Sequence, residues 1–185
     1  MKIILFGLLL ATGVAGAAAA APVYPVAVVS TDQNGTVVAP DRSNPNAVIG
    51  AADGVFYSLG LGGNMVLDFG QQVGSPGMVA EVTFRLEGYI EKMEIYVSST
   101  LDFLAGAVAT VSNQSAGLPG GAVVSFSSDP FRYVKLVDIS PVVKGRDGFD
   151  VDSISFSPVP VPAAGLLLGG ALFGLGALRR RAKKA

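Results

Sequence analysis

"NMVLDFGQQVGSPGMVAEVTFRLEG", residues 64–88, places two apolar-rich runs on either side of a centre, "GQQVGSPG", rich in Gly, Gln, Ser and Pro. Successive side chains of an extended chain point to opposite faces, so an alternating run predicts a strand with one buried side. Two strands are expected here, "NMVLDFG" and "MVAEVTFRLEG". In the second, Val79, Glu81, Thr83 and Arg85 share one side. Ala80, Val82, Phe84 and Leu86 share the other, which is expected to be core.

The same grammar repeats outward. "FYSLGLGG" (56–63), "KMEIYVSS" (92–99), "GAVATVSN" (106–113), "GAVVSFSS" (121–128), "FRYVKLVDIS" (131–140) and "FDVDSISFS" (149–157) are short and rich in Val, Ile, Phe and Tyr. Each is bounded by Gly, Asn, Asp, Ser or Pro, the residues that turns require. Val26–Ser30 and Thr36–Ala39 flank "TDQNGT", whose Asn34-Gly35 pair predicts a hairpin because both residues tolerate positive φ. A loop, "DRSNPNAVIGAADG", follows at 41–54. Roughly eight to ten strands at this spacing predict an all-β sandwich or barrel. In "FRYVKLVDIS" neither face is cleanly polar, which suits a central strand with charges at its rim.

Apolar residues are concentrated at the two ends. "MKIILFGLLLATGVAGAAAAAP" has one Lys, an apolar run and then small residues, the pattern of a secretory signal peptide over residues 1–21. The expected domain is 22–157, followed by a distinct segment at 158–185. The middle holds all the Asp and Glu but about half of the Lys and Arg, which leaves it near −7 rather than the −1 of the whole chain. Such a surface repels phosphate, so nucleic acid is not an expected partner. The chain has no Cys, His or Trp. That removes disulfides, thiol nucleophiles, His-dependent triads and the usual zinc sites.

Two internal motifs invite a functional reading. "GLGG" at 60–63 suggests a dinucleotide fingerprint, but its third glycine would fall on Met65 and no helical period follows, so a tight turn is expected. "RDGFDVDS" gathers Asp147, Asp150 and Asp152 within six residues. Close carboxylates repel unless water or a cation separates them, and oxygen-rich sets suit Ca²⁺. Asp53, from the loop that also carries Asp41, Asn44 and Asn46, is the expected second source of ligands. The competing account is a solvated turn before a strand. Carboxylate pairs also serve glycoside hydrolysis, but no Trp supplies a stacking platform, and the chain is not read as an enzyme. "NGT" at Asn34 and "NQS" at Asn113 match the glycosylation acceptor pattern, and the first is better explained by its turn.

"NAVIGAADGVFYSLGLGGNMVLDFG", "MEIYVSS", "FRYVKLVDIS" and "DGFDVDSISF" together resemble the galactose-binding-like jelly-roll domains of bacterial secreted surface proteins. The likeness spans most of residues 40–157. It implies a β-sandwich whose loops at one end could bind a sugar. The segment "GQQVGSPGMVAEVTFRLEG" departs from the pattern, since Glu81 is its only acid before Glu87.

The last segment, "VPVPAAGLLLGGALFGLGALRRRAKKA", resembles the PEP-CTERM sorting signal in its Val-Pro-Leu-Pro-Ala form. Val159, Pro160, Pro162 and Ala163 match, and Val161 stands where Leu is usual. The resemblance implies a Gram-negative host, recognition by an exosortase, and delivery to the cell surface alongside exopolysaccharide. The residues agree with transient membrane anchoring. Ala163–Leu178 would extend about 24 Å as a helix, slightly short of a hydrocarbon core of about 30 Å. Arg179, Arg180, Arg181, Lys183 and Lys184 would stop transfer on the cytoplasmic side. The expected partners are the secretory translocon, signal peptidase and exosortase. The expected role is that of a non-enzymatic surface or matrix protein, with a carbohydrate-binding module, to which Ca²⁺ would lend stability, as the other reading.

Overall fold

The computed structural model describes residues 20–82, 88–115, 117 and 121–159. Eight strands are present among them: β1 (Ala27–Asp32), β2 (Tyr57–Ser58), β3 (Asn64–Glu81), β4 (Lys92–Ser98), β5 (Ala109–Ser112), β6 (Ala122–Val124), β7 (Phe131–Asp138) and β8 (Asp150–Pro158). Single 3-10 turns occupy Pro40–Arg42 and Pro45–Val48. All strand pairs are antiparallel.

The two strands expected in 64–88 are one. β3 runs for 18 residues and belongs to both layers of the fold. Its first part pairs with β1 on one side and β7 on the other, as in Val66 opposite Ser30 and Lys135. Its second part pairs with β6 and β8, as in Met78 opposite Val123 and Ser155. The pairing register shifts between Asp68 and Val73 and between Gly74 and Gly77. The turn-forming centre therefore bends a strand rather than ending it, which is how a strand crosses from one sheet to the other. The result is a five-stranded layer, β1-β3-β7-β4-β5, against a four-stranded layer, β2-β8-β3-β6.

Met65, Leu67 and Phe69 of β3 pack with Met93 and Ile95 of β4, Val134 and Leu136 of β7, and Ile154 and Phe156 of β8. Phe156 sits at the centre of an aromatic group, 4.9 Å from Phe131 at 88° and 5.6 Å from Phe69 at 63°. Edge-to-face contact aligns the positive ring edge with the negative ring face. A side chain on Gly77 would run into the Phe156 ring, so this glycine makes room for the core at the bend.

Two expectations need correction. Val79 and Glu81 point inward, at 0% and 2% exposure, while Met78 is exposed; Ala80 is buried as expected, and Thr83, Phe84, Arg85 and Leu86 lie outside the described residues. The register shift at the bend fixes this parity, and alternation within the segment does not reveal it. The Asn34-Gly35 turn forms, with φ of 50° and 70°, but Thr36–Ala39 is not a strand. Thr36 Oγ1 instead accepts from Leu61 N–H (2.9 Å), and Asn34 Nδ2 donates to Leu61 O (3.1 Å). The turn thus docks on the Gly60–Gly63 turn, and β1 takes β3 as its partner. "GLGG" is a tight turn as expected, with Gly60 and Gly62 at φ of 81° and 70°.

The domain's termini lie together. Val23 and Phe156 exchange backbone hydrogen bonds of 2.9 and 3.0 Å, and β8 runs out to Pro158 beside them. The opposite end carries the loops after β1, β2 and β7. No helix among the described residues is long and apolar enough to cross a membrane. The expected signal peptide, except Ala20 and Ala21, and the sorting segment beyond Val159 lie outside the described residues.

Candidate functional site

A cavity of about 390 Å³ opens at the loop end, lined by Val37, Arg42, Glu91, Arg146, Asp147 and Asp150 among others. Asp138, the last residue of β7, organises its walls. It is 2% exposed. Its Oδ1 accepts from Ser140 Oγ (2.6 Å) and Phe149 N–H (2.9 Å). Its Oδ2 accepts from Gly62 N–H (2.9 Å) and Ser140 N–H (3.2 Å). One carboxylate thereby ties the β2–β3 turn to both ends of the β7–β8 loop. Gly148 approaches so closely that a Cβ there would lie 2.8 Å from Asp138 Oδ1 and from Gly60 O. Its φ of 80° is one that glycine adopts without strain. Leu59 N–H to Phe149 O (3.1 Å) and Gly60 N–H to Asp147 O (2.8 Å) continue the tie.

On this frame Arg42, delivered by the first 3-10 turn, reaches Asp147 at 3.2 Å. The Arg146 guanidinium lies 5.1 Å over the Tyr89 ring, and Tyr89 OH donates to Pro141 O (3.1 Å). Burial, with the negative charges of Asp138 and Glu91 next, pushes the Tyr89 phenol up to about 12. Asp150 accepts from the Ser58 hydroxyl. Burial raises the Asp150 carboxyl to about 7, the Ser58 hydrogen bond opposing it and Asp147 adding to it. Burial and then the charges of Asp150 and Glu81 raise Glu91 to about 8. The cavity therefore offers guanidinium donors beside carboxyls that keep a proton near neutrality. A protonated carboxyl donates one hydrogen bond and still accepts others. Such a mixture suits a polyhydroxylated ligand better than a simple ion.

The expected calcium ligands do not converge. Asp152 accepts from Asp53 N–H (3.1 Å) on one oxygen and from Gly54 N–H (3.0 Å) on the other, so it pins the 53–54 loop. Asp53 uses Oδ1 to accept from Val55 N–H (2.9 Å). Asp150 is bound to Ser58 and Asp147 faces Arg42. Each of the four carboxylates has a partner of its own within the protein. Among the described residues no group of three or more acidic side chains is arranged to hold a metal ion. Asp147 and Asp150 do line one cavity, while Glu91 and the two arginines join them from distant parts of the chain. Nothing in local spacing marks Asp138 or Glu91, because their surroundings come from other loops.

No family model matches the chain, and no curated protein matches it in sequence. Among solved structures it is similar to the CBM32 domain of AlyQ in complex with 4,5-unsaturated mannuronic acid. The TM-score is 0.53 at 15% identity, over 74% of this chain and 97% of that one. It is also similar to a truncated AlyQ with CBM32 and alginate lyase domains, with TM-score 0.54 and 15% identity, over 77% of this chain and 34% of that one. The likeness is one of fold: the chain folds as an all-β sandwich of the kind found in CBM32 domains.

Proposed function

We propose that this domain is a non-catalytic carbohydrate-binding module whose ligand enters the loop-end cavity. The observation that carries the reading is that cavity, set with guanidinium and carboxyl groups at the end of a CBM32-like sandwich remote from its termini. Arg146 stacked on Tyr89 supplies a rigid donor array, since a guanidinium held over an aromatic ring keeps its N–H fork oriented. Buried carboxyls supply paired acceptors and donors for hydroxyl groups. Uronates belong in the ligand panel, because two arginines face the cavity and its buried carboxyls resist ionisation. The test is a glycan array with uronate and neutral oligosaccharides, followed by titration calorimetry. Binding that falls about tenfold or more in Arg146→Ala supports the site. An array without a single hit removes the reading.

The second element of the proposal concerns delivery. The signal-like start and the sorting-like tail support export through the secretory translocon, brief anchoring in the inner membrane and exosortase processing. The domain's termini share one end, so a tether at Val159 leaves the cavity facing away from the anchor. Mass spectrometry of the mature protein from its host checks this. A product lacking the residues after the Pro160–Ala163 region agrees, and one that still ends at Ala185 does not.

A further inference from the structure

The outer face of the five-stranded layer holds a second cavity, of about 400 Å³, which shares no residue with the first. Its floor follows from strand register. Ser30 of β1, Val66 of β3, Lys135 of β7 and Tyr96 of β4 stand directly opposite one another across four strands. Asn64 stands one same-face position along β3 from Val66 and also lines the cavity. The wall is the β4–β5 loop, which brings Asp102 and Phe103 over the sheet.

That loop is held in an unusual shape. Ser98 Oγ accepts from Thr100 N–H (3.1 Å) and donates to Asp102 Oδ1 (3.0 Å), and hydrogen bonds from the Thr100 side chain, first, and the Ser98 side chain hold the Asp102 carboxyl below the usual carboxylate range. Phe103 has φ of 42°, in the left-handed region that a bulky side chain rarely adopts. Burial does not account for it. Phe103 is only partly buried, and its neighbours Leu101 and Leu104 are 54% and 88% exposed. Lys135 makes no ion pair among the described residues, although it lies mid-sheet rather than at a rim.

The cavity thus combines an aliphatic floor, an aromatic wall, an ammonium donor, an ionised acceptor, an amide and a hydroxyl. A simple anion would meet Asp102, and a simple cation would meet Lys135. A pyranose ring fits both, because it has an apolar C–H face and a girdle of hydroxyls that donate and accept. We propose that the outer face of the β1-β3-β7-β4 sheet is a second saccharide subsite, with Phe103 and Val66 against the sugar ring and Lys135 and Asp102 on its hydroxyls. The proposal rests on the reading of the domain as a saccharide binder. It adds that one domain carries two independent subsites on different faces and so bridges two polysaccharide chains. Bridging by a single domain is a physical means of cross-linking a matrix.

The experiment is affinity electrophoresis of the full chain through gels containing alginate, galactomannan or mixed-linkage β-glucan, with turbidity of the same polysaccharides in solution as the readout of bridging. The variants are Arg146→Ala at the loop end, and Phe103→Gly and Lys135→Ala on the sheet face. Phe103→Gly removes the ring yet suits a positive φ, so its Tm is expected to be no lower than that of the wild type. Expected is retardation of the wild type with turbidity, and retardation of each single variant with turbidity lost. The Arg146→Ala/Lys135→Ala double variant should lose retardation altogether. Sheet-face variants that stay turbid like the wild type overturn the second subsite and leave the loop-end site standing. Loss of retardation in sheet-face variants alone, with Arg146→Ala unaffected, supports the sheet-face subsite and overturns the loop-end one. A wild type that no gel retards overturns both.

Discussion

Asp138 shows how one buried side chain can shape a site without touching a ligand. Four protein donors converge on it at 2.6–3.2 Å from three places in the chain. An amide in its place has one acceptor oxygen and turns an N–H₂ toward N–H groups. Asp138→Asn is therefore expected to cost about 3 kcal/mol, since each buried donor left unpaired costs about 1–3 kcal/mol. The shift of the urea midpoint measures it, and loss of ligand binding should accompany it. The neighbouring acids make the domain sensitive to pH. Unfolded, Asp150 and Glu91 titrate in the ordinary carboxylate range near 4. Folded, they titrate near 7 and 8. Across that interval the native state retains protons that the unfolded state has released, so stability falls as pH rises. The penalty is absent below about 4 and complete above about 8. Asp68, held low chiefly by the Arg132 hydrogen bond, acts oppositely and loses its contribution only at acid pH. Tm is expected to fall by several degrees between pH 5 and pH 9, and Asp150→Asn should flatten the slope. An unchanged slope in that variant would mean that Asp150 is not the group responsible. The sequence showed three aspartates close together but not their partners. Ser58, Arg42 and the 53–54 N–H groups lie about 90 or more residues away in sequence and share no local pattern with them.

At the scale of elements, β3 separates what patterning reveals from what it does not. Alternation and turn residues located nearly every strand, because a half-buried strand must alternate. They did not reveal that 64–81 is one strand, because Gly, Ser and Pro look alike at a turn and at a bend. The parity of its second half was lost for the same reason, and with it the burial of Glu81. Thr36–Ala39 failed as a hairpin arm because its turn found hydrogen-bond partners at Leu61. Gly77 is where the bend meets the core, since its α-carbon faces the Phe156 ring across paired strands. Gly77→Ala is expected to destabilise by about 2–3 kcal/mol, the usual cost of overpacking a filled core. Gly74→Ala, four residues from Met78 and with open space at the same bend, should cost much less. Denaturant melts of the two variants check this. Equal losses would show that the bend, rather than the Phe156 contact, sets the requirement for glycine. Outside the core, the bidentate Arg132–Asp68 pair (2.7 and 2.8 Å) joins β7 to β3 on the solvent side. It should add only about 0.2–1 kcal/mol, as exposed ion pairs do.

The whole molecule has two unlike ends, and its proposed function depends on that polarity. The termini meet where Val23 bridges Phe156, and the cavity built on Asp138 lies at the far ends of β7 and β8. Without disulfides, only the sandwich core and its hydrogen bonds hold these ends in a fixed relation. A folded cargo joined after Val159 therefore leaves the cavity untouched, whereas one inserted between Lys144 and Gly145 enters the β7–β8 loop that forms its wall. The distinction does not reduce to stability, because Lys144 and Gly145 are exposed and a Cβ on Gly145 would meet open space. A fluorescent protein fused after Val159 is expected to leave saccharide affinity within about twofold of the wild type. The same protein inserted after Lys144 should lower the loop-end affinity by about tenfold or more, a loss of about 1.4 kcal/mol, with the sheet-face subsite and Tm little changed. Calorimetry on both fusions, beside their melting curves, measures the two effects separately. Insertion that spares the loop-end affinity would move that ligand elsewhere, to a cavity such as the one on the sheet face, which offers a sugar both a ring face and paired polar groups.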